Sequence, residues 1–428
     1  MQKIIVNGGR ALEGEIRVSG SKNAALPLIF AALLIDGETT LRNVPDIGDV
    51  RVALELLSGF GAEISFSQRT LRINARGVKY KAANPALSGK IRASTYLLGA
   101  TLGRFGRAEI PASGGCNFSD RPIDFHINAA KAFGAAVIEK SPATDNIFGA
   151  LELENCLIAE KLLGTKITLP KPSVGATINA LLMAAKASGE SEILGFAKEP
   201  HVLSVIDFLR AAGAEIRLEN EKIMVHPAPL HSVDFMVIGD MIEAGTYLIA
   251  AMITGGNIKV TGIDPRELSA YLDIVKGLEF IPKIGHDYIC LDSKKRKNSG
   301  NKISVSAAPY PAFPTDLQPI IAPLIAKEAG GEIRDFVFPG RFGYLESLSA
   351  FGINSKVERG CAKIEKSRLK SGSAIAPDLR GGMACLLAAL GAKGHSEIHS
   401  PEVILRGYDS LIEKMTSLGA EINLQKCK

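Results

Sequence analysis

Ser113-Gly114-Gly115-Cys116-Asn117-Phe118-Ser119-Asp120-Arg121-Pro122 is a glycine-rich run with few core-forming side chains, and it holds a thiol near a guanidinium. A neighbouring cation favours thiolate, the form in which cysteine attacks or titrates. Cys156, Cys290, Cys361, Cys385 and Cys427 lie in strand or helix patterns and read as inert. No C-x-x-C spacing occurs, so neither a disulfide framework nor a zinc site is expected. Ala308-Pro309-Tyr310-Pro311-Ala312-Phe313-Pro314-Thr315-Asp316 is a proline-stiffened approach to a helix. Asp316 there is either a helix-start carboxylate favoured by the dipole or a general base in a rigid frame. Cations stand beside small residues at Gly20-Ser21-Lys22-Asn23, Arg92-Ala93-Ser94 and Asp378-Leu379-Arg380-Gly381-Gly382. Such clusters suit a substrate with several negative charges. His126 and His201 are candidate proton shuttles, though no paired Ser or Asp motif accompanies them.

These residues need elements to place them, and the chain supplies them by repetition. Phe60-Gly61-Ala62-Glu63-Ile64 returns as Phe133-Gly134-Ala135-Ala136-Val137, Ala212-Gly213-Ala214-Glu215-Ile216 and Leu418-Gly419-Ala420-Glu421-Ile422. Weaker copies are Lys276-Gly277-Leu278-Glu279-Phe280 and Phe351-Gly352-Ile353-Asn354. Six copies at a mean period of about 72 residues exceed ordinary solenoid repeats. In the first copy, Glu15–Val18 alternates as a half-buried strand and Ala24–Leu34 reads as a helix with Ser21 near its start. Thr39–Asn43 is a second strand, Asp49 opens a second helix, and Ile64–Phe66 with Leu71–Ile73 form a hairpin. The unit is strand, helix, strand, helix, strand, strand. Its apolar helix needs more cover than one small sheet offers, so units must pack together. Six helix entrances result, near Lys22, Arg92, Val174, Glu243, Asp316 and Asp378. Converging entrances make an anion site, because helix N-termini carry unpaired N–H groups and partial positive charge.

Composition narrows the function classes. The 428 residues are 46% hydrophobic and 22% charged, with a formal charge of +5 and no basic run. That excludes disorder and gives no support for nucleic acid as a partner. The opening residues Met1–Val6 read as a strand without a signal peptide, and Ala24–Ile35 is too short to span a bilayer. A soluble, cytoplasmic protein is expected. No G-x-G-x-x-G follows a strand, and P-loop and H-E-x-x-H motifs are missing, so no cofactor or metal is expected.

Ser19-Gly20-Ser21-Lys22-Asn23-Ala24-Ala25-Leu26-Pro27, the Cys116 loop with Arg121-Pro122-Ile123-Asp124-Phe125-His126, Pro314-Thr315-Asp316-Leu317-Gln318 and Arg406-Gly407-Tyr408 resemble the UDP-N-acetylglucosamine enolpyruvyl transferases. The resemblance runs from Lys3 to about Gly419. It implies an α/β fold, a two-domain inverse α/β barrel with three of the repeats per domain. Residues 1–20 with 239–428 would form one domain and residues 21–238 the other, with the active site in the cleft. The implied reaction moves the enolpyruvyl group of phosphoenolpyruvate to the 3-hydroxyl of UDP-N-acetylglucosamine, the committed step of peptidoglycan precursor synthesis.

By matching position, the catalytic residues would be Cys116, Asp316 and Lys22, with Cys116 donating the proton and alkylated by fosfomycin and Asp316 the base. Lys22, Asn23, Arg121 and Arg406 would hold phosphoenolpyruvate. Arg92, Arg121, Pro122, Ile123, Asp124, Phe125, Lys171, Pro172, Ser173, Val174, Asp316 and Val337 would contact the sugar nucleotide. Asp49, Arg341, Asp378 and Arg380 match further cleft residues. The sequence departs from the family at Ser119, at Met241 (with one ion pair fewer expected near the second crossing) and over Lys198-Glu199-Pro200-His201. The relatives acting on shikimate 3-phosphate normally show serines and an arginine after the Gly-Ser-Lys and lack the cysteine loop. A catalytically silent UDP-sugar-binding paralogue is the alternative from another class.

Overall fold

The computed structural model describes residues 2–111, 114, 122–138, 153–296 and 302–426. Cys116, Ser119, Arg121 and Cys427 lie outside them. The chain divides into two compact units, Met1–Ser19 with Gly239–Lys428 and Gly20–Cys116 with Arg121–Ile238. We refer to them as the first and second units.

The third repeat shows the expected unit most plainly. Strand Lys166–Thr168, helix Val174–Ala184, strand Ser191–Leu194, helix Pro200–Ala211 and hairpin Glu215–Glu219/Lys222–His226 follow in order. All four strands share one sheet, whose leading pair is parallel with Ile167 opposite Ile193. The second repeat forms a three-stranded sheet among the described residues.

The first copy corrects the expectation that each unit keeps its own leading strand. Strand Glu13–Arg17 pairs in parallel with Asn257–Thr261, in the sheet of the fourth copy. Strand Val233–Met236, which precedes the fourth copy, pairs with Glu38–Arg42 of the first. The two leading strands are therefore exchanged where the chain passes between units. The sixth copy has only Glu421–Lys426 to close it, and Gln2–Gly8 from the start of the chain completes that sheet.

Glycine marks both crossings. A Cβ on Gly20 would sit 1.7 Å from the Asn43 carbonyl oxygen, and one on Gly239 would sit 2.0 Å from that of Gly262. No other residue tolerates such approaches. Ser19 is fixed within the first unit by a buried polar cluster. Its N–H donates to Glu243 Oε2 at 2.8 Å, and Lys414 Nζ donates to Ser19 Oγ at 2.6 Å and to Glu243 Oε1.

In the first unit, helices Met241–Thr254, Gln318–Glu328 and Leu379–Gly391 pack on one another. They are apolar almost all round, as helices enclosed on every side must be. Lys22–Ala31, Leu97–Phe105 and Val174–Ala184 occupy the corresponding place in the second unit. Helices inside and small sheets outside make each unit an inverse α/β barrel, the fold class expected from the sequence. Among the described residues no helix is long and apolar enough to cross a membrane.

Candidate active site

The enclosed helices Lys22–Ala31, Leu97–Phe105 and Val174–Ala184 of the second unit carry no acidic residue in their first turns. Ser21 caps helix Lys22–Ala31 by accepting the Ala24 N–H, and Ser173 caps Val174–Ala184 by accepting the Ala176 N–H. Lys22 occupies the first helical position, where a cation opposes the dipole. Asp49, 5% exposed and in the first turn of helix Gly48–Gly59, offsets this with an ion pair of 2.8 Å to Lys22 Nζ. A lysine placed against the dipole and then neutralised by a buried carboxylate adds little stability.

Arg92 opens the 3-10 turn Arg92–Tyr96 ahead of helix Leu97–Phe105. Beside it, His126 of helix Asp124–Ala132 is 5% exposed. Burial, aided by the Arg92 charge, pushes its pKa down to about 4, so the ring is neutral. Asn179 Nδ2 lies 2.7 Å from His126 Nδ1, which therefore accepts, and the ring proton sits on Nε2. The same amide donates to the Thr95 carbonyl at 3.0 Å, and its oxygen accepts the Gly99 N–H at 2.9 Å. Asn179 thus ties three helical segments at the Arg92 end of the unit. Lys171 lies over the Phe125 ring at 5.7 Å, joining the Pro122–Phe125 segment to the Lys171–Val174 segment.

The first unit builds its entrances from carboxylates. Asp240 caps Met241–Thr254 through the Ile242 and Glu243 N–H groups. Asp378 caps Leu379–Gly391 by accepting the Arg380 and Gly381 N–H groups at 3.0 and 3.1 Å. Asp316 lies in the 3-10 turn Thr315–Leu317 that leads into Gln318–Glu328. Arg341 Nη1 donates to its Oδ1 at 2.9 Å, and Arg380 donates to its Oδ2 through Nε at 3.2 Å and Nη2 at 3.0 Å. Burial opposes its charge, but the guanidiniums of Arg380 and Arg341 outweigh that and hold the carboxyl far below the usual range. The side chain keeps 28% of its surface exposed, so the held carboxylate is not sealed off. Arg380 in turn stacks on Tyr408 at 5.3 Å, whose hydroxyl lies 2.9 Å from Thr246 Oγ1. This packing attaches the Arg406–Tyr408 segment to the same helix entrances. Asp378 emerges as a cap, whereas Arg341 and Arg380 hold Asp316 directly.

Several groups here escaped the sequence. Asn179 is an ordinary polar residue inside an apolar helix. Asp335 ends strand Gly331–Asp335, and its Oδ1 accepts the Val337 and Phe338 N–H groups at 2.9 and 2.8 Å. An Asp closing a strand before an apolar turn is the one signal that pointed to it. Of the remaining cysteines, Cys156, Cys361 and Cys385 are buried and Cys290 is half-buried. Burial pushes Cys385 up to about 12, in keeping with an inert thiol.

The family model of EPSP synthase (3-phosphoshikimate 1-carboxyvinyltransferase) matches residues 6–415. A Prosthecochloris aestuarii relative named UDP-N-acetylglucosamine 1-carboxyvinyltransferase is 38% identical over 427 residues, covering 99% of this chain and 98% of its own. One from Caldanaerobacter subterraneus, UDP-N-acetylglucosamine 1-carboxyvinyltransferase 3, is 36% identical over 426 residues with 99% of each chain covered. Among solved structures, the enolpyruvyl transferase NikO from Streptomyces tendae matches with a TM-score of 0.88 at 25% identity, covering 100% of this chain and 99% of its own. EPSP synthase from Acinetobacter baumannii shares the fold, with a TM-score of 0.74 at 18% identity and full coverage of both chains.

Proposed function

Because the chain belongs to the EPSP synthase family of enolpyruvyl transferases, we propose that it transfers the enolpyruvyl group of phosphoenolpyruvate to the 3-hydroxyl of UDP-N-acetylglucosamine, releasing phosphate. The observation that carries this reading is full-length likeness to relatives named for that activity. The residues supply the groups such a reaction needs.

Protonation of C3 of the enol makes C2 electrophilic, and Cys116 is the proposed donor. The sugar oxygen then bonds to C2 while its proton passes to Asp316. Loss of the C3 proton and cleavage of the C2–O bond to phosphate complete the exchange. Asp316, doubly held by guanidiniums, is a weak base. It takes the proton once bonding to C2 has made the hydroxyl acidic, so C3 protonation leads. Lys22, Asn23, Arg121 and Arg406 are the proposed phosphoenolpyruvate ligands. Charge-assisted contacts of this kind bind phosphate and carboxylate most firmly. Arg92, Arg121, Pro122–Phe125, Lys171–Val174, Asp316 and Val337 are the proposed sugar-nucleotide contacts. The same reading places the protein in the cytoplasm, at the committed step of peptidoglycan precursor synthesis, as a target of fosfomycin through Cys116.

Mixing the protein with phosphoenolpyruvate and each acceptor in turn tests the proposal. Phosphate release with UDP-N-acetylglucosamine and none with shikimate 3-phosphate is expected. Release with shikimate 3-phosphate alone, or with neither, contradicts it.

A further inference from the structure

Asp335 is 2% exposed and stands outside every role given above. Its two oxygens do separate work. Oδ1 accepts the N–H groups of Val337 and Phe338 and so shapes the turn that carries Val337. Oδ2 accepts the Thr315 hydroxyl at 2.5 Å. Thr315 has its own carbonyl and Oγ1 at 3.1 and 3.2 Å from Arg341 Nη1, the nitrogen that also donates to Asp316 Oδ1. Arg341 is buried, so that nitrogen has few other settings. A continuous path therefore runs from Asp335 through Thr315 and Arg341 to Asp316. A hydroxyl donates one proton. Because Thr315 spends its proton on Asp335, its oxygen lone pairs face Arg341.

We infer that Asp335 is a positioning residue for the reaction: it orients Thr315 so that Arg341 is held against Asp316, and with its other oxygen it sets the turn bearing Val337. The inference rests on the proposed function in taking Asp316 as the base, but the path of hydrogen bonds stands independently of that. Misplacement of a reacting group by about 1 Å costs roughly a hundredfold in rate, so this support is worth testing.

Thr315→Val removes the hydroxyl at constant shape, and Thr315→Ser restores it. Asp335→Asn keeps an oxygen for the Val337 and Phe338 N–H groups while losing the second acceptor. Thr315→Val and Asp335→Asn should each lower kcat about tenfold or more, with KM for phosphoenolpyruvate within about twofold of the parent. Thr315→Ser should recover most of that loss. A merely structural role would lower the melting temperature without this split between kcat and KM. A crystal structure of Thr315→Val adds a readout that needs no activity. Arg341 Nη1 should move out of hydrogen-bonding distance of Asp316 Oδ1. An unmoved Arg341–Asp316 pair, or a Thr315→Val enzyme with parental kcat, overturns the inference. Failure of the parent itself to release phosphate would instead count against the proposed function.

Discussion

The two units use one architecture with opposite chemistry at their helix entrances. In the second unit Ser21 and Ser173 cap two of the enclosed helices, and Lys22 and Arg92 add positive charge where the dipoles are already positive. In the first unit Asp240, Asp316 and Asp378 occupy the equivalent places, and Arg341 and Arg380 form ion pairs with Asp316. Serine caps leave an entrance open to anions. Asp240 and Asp378 satisfy their entrances from within as caps, and at the third entrance Asp316 is a carboxylate held by Arg341 and Arg380. A duplicated scaffold can thus present cationic entrances in one unit and carboxylates in the other with no change of fold.

The largest expected effect is at the held carboxylate. Asp316→Asn keeps an oxygen acceptor but has no proton affinity to offer, and kcat should fall about a hundred- to ten-thousandfold in a phosphate-release assay. Retained turnover would erase the proposed contrast between the units. Arg406→Lys comes next. An ammonium lacks the paired donors of a guanidinium, and the loss of about 2–3 kcal/mol should appear as roughly 30- to 150-fold in kcat/KM for phosphoenolpyruvate. A change below about threefold would place Arg406 away from the substrate.

A smaller effect sharpens the comparison through stability. His126 has a pKa of about 4 when folded, below its ordinary 6.5. As pH falls below 6.5 the unfolded chain takes up this proton first, so stability is lost progressively until the pH passes the folded value. Between pH 8 and pH 5 the loss should be about 2 kcal/mol. Chemical denaturation at the two pH values should show a smaller drop in His126→Gln. An equal drop would mean that other groups carry the acid sensitivity.

Much of this arrangement was legible in the sequence, and the rest was not for physical reasons. The recurring Gly-Ala-Glu-Ile phrase revealed the repeats, because each one needs a glycine just past a helix end and a strand directly after it. Ser21 was legible as a cap, and Asp316 as a rigidly framed carboxylate. Alternation in Glu15–Val18 shows a half-buried strand but carries nothing about which sheet it joins, so the exchange with Val233–Met236 stayed hidden. Asn179, Asp335 and the Glu243–Lys414 pair matter through partners distant in sequence, and single polar residues in apolar segments do not announce such partners. Cys116 and Arg121 were singled out from their loop, and they lie outside the described residues.

The contrast between cationic entrances and a held carboxylate is tested most directly by calorimetric titration of UDP-N-acetylglucosamine into two variants side by side. Arg92→Gln removes a cation from the second unit, and Asp316→Asn removes the proposed base from the first. Kd should weaken about tenfold or more in Arg92→Gln, a lost charge-assisted contact, and by no more than about threefold in Asp316→Asn, whose amide oxygen can still accept the sugar hydroxyl. Parental affinity in Arg92→Gln, together with lost binding in Asp316→Asn, would contradict the account.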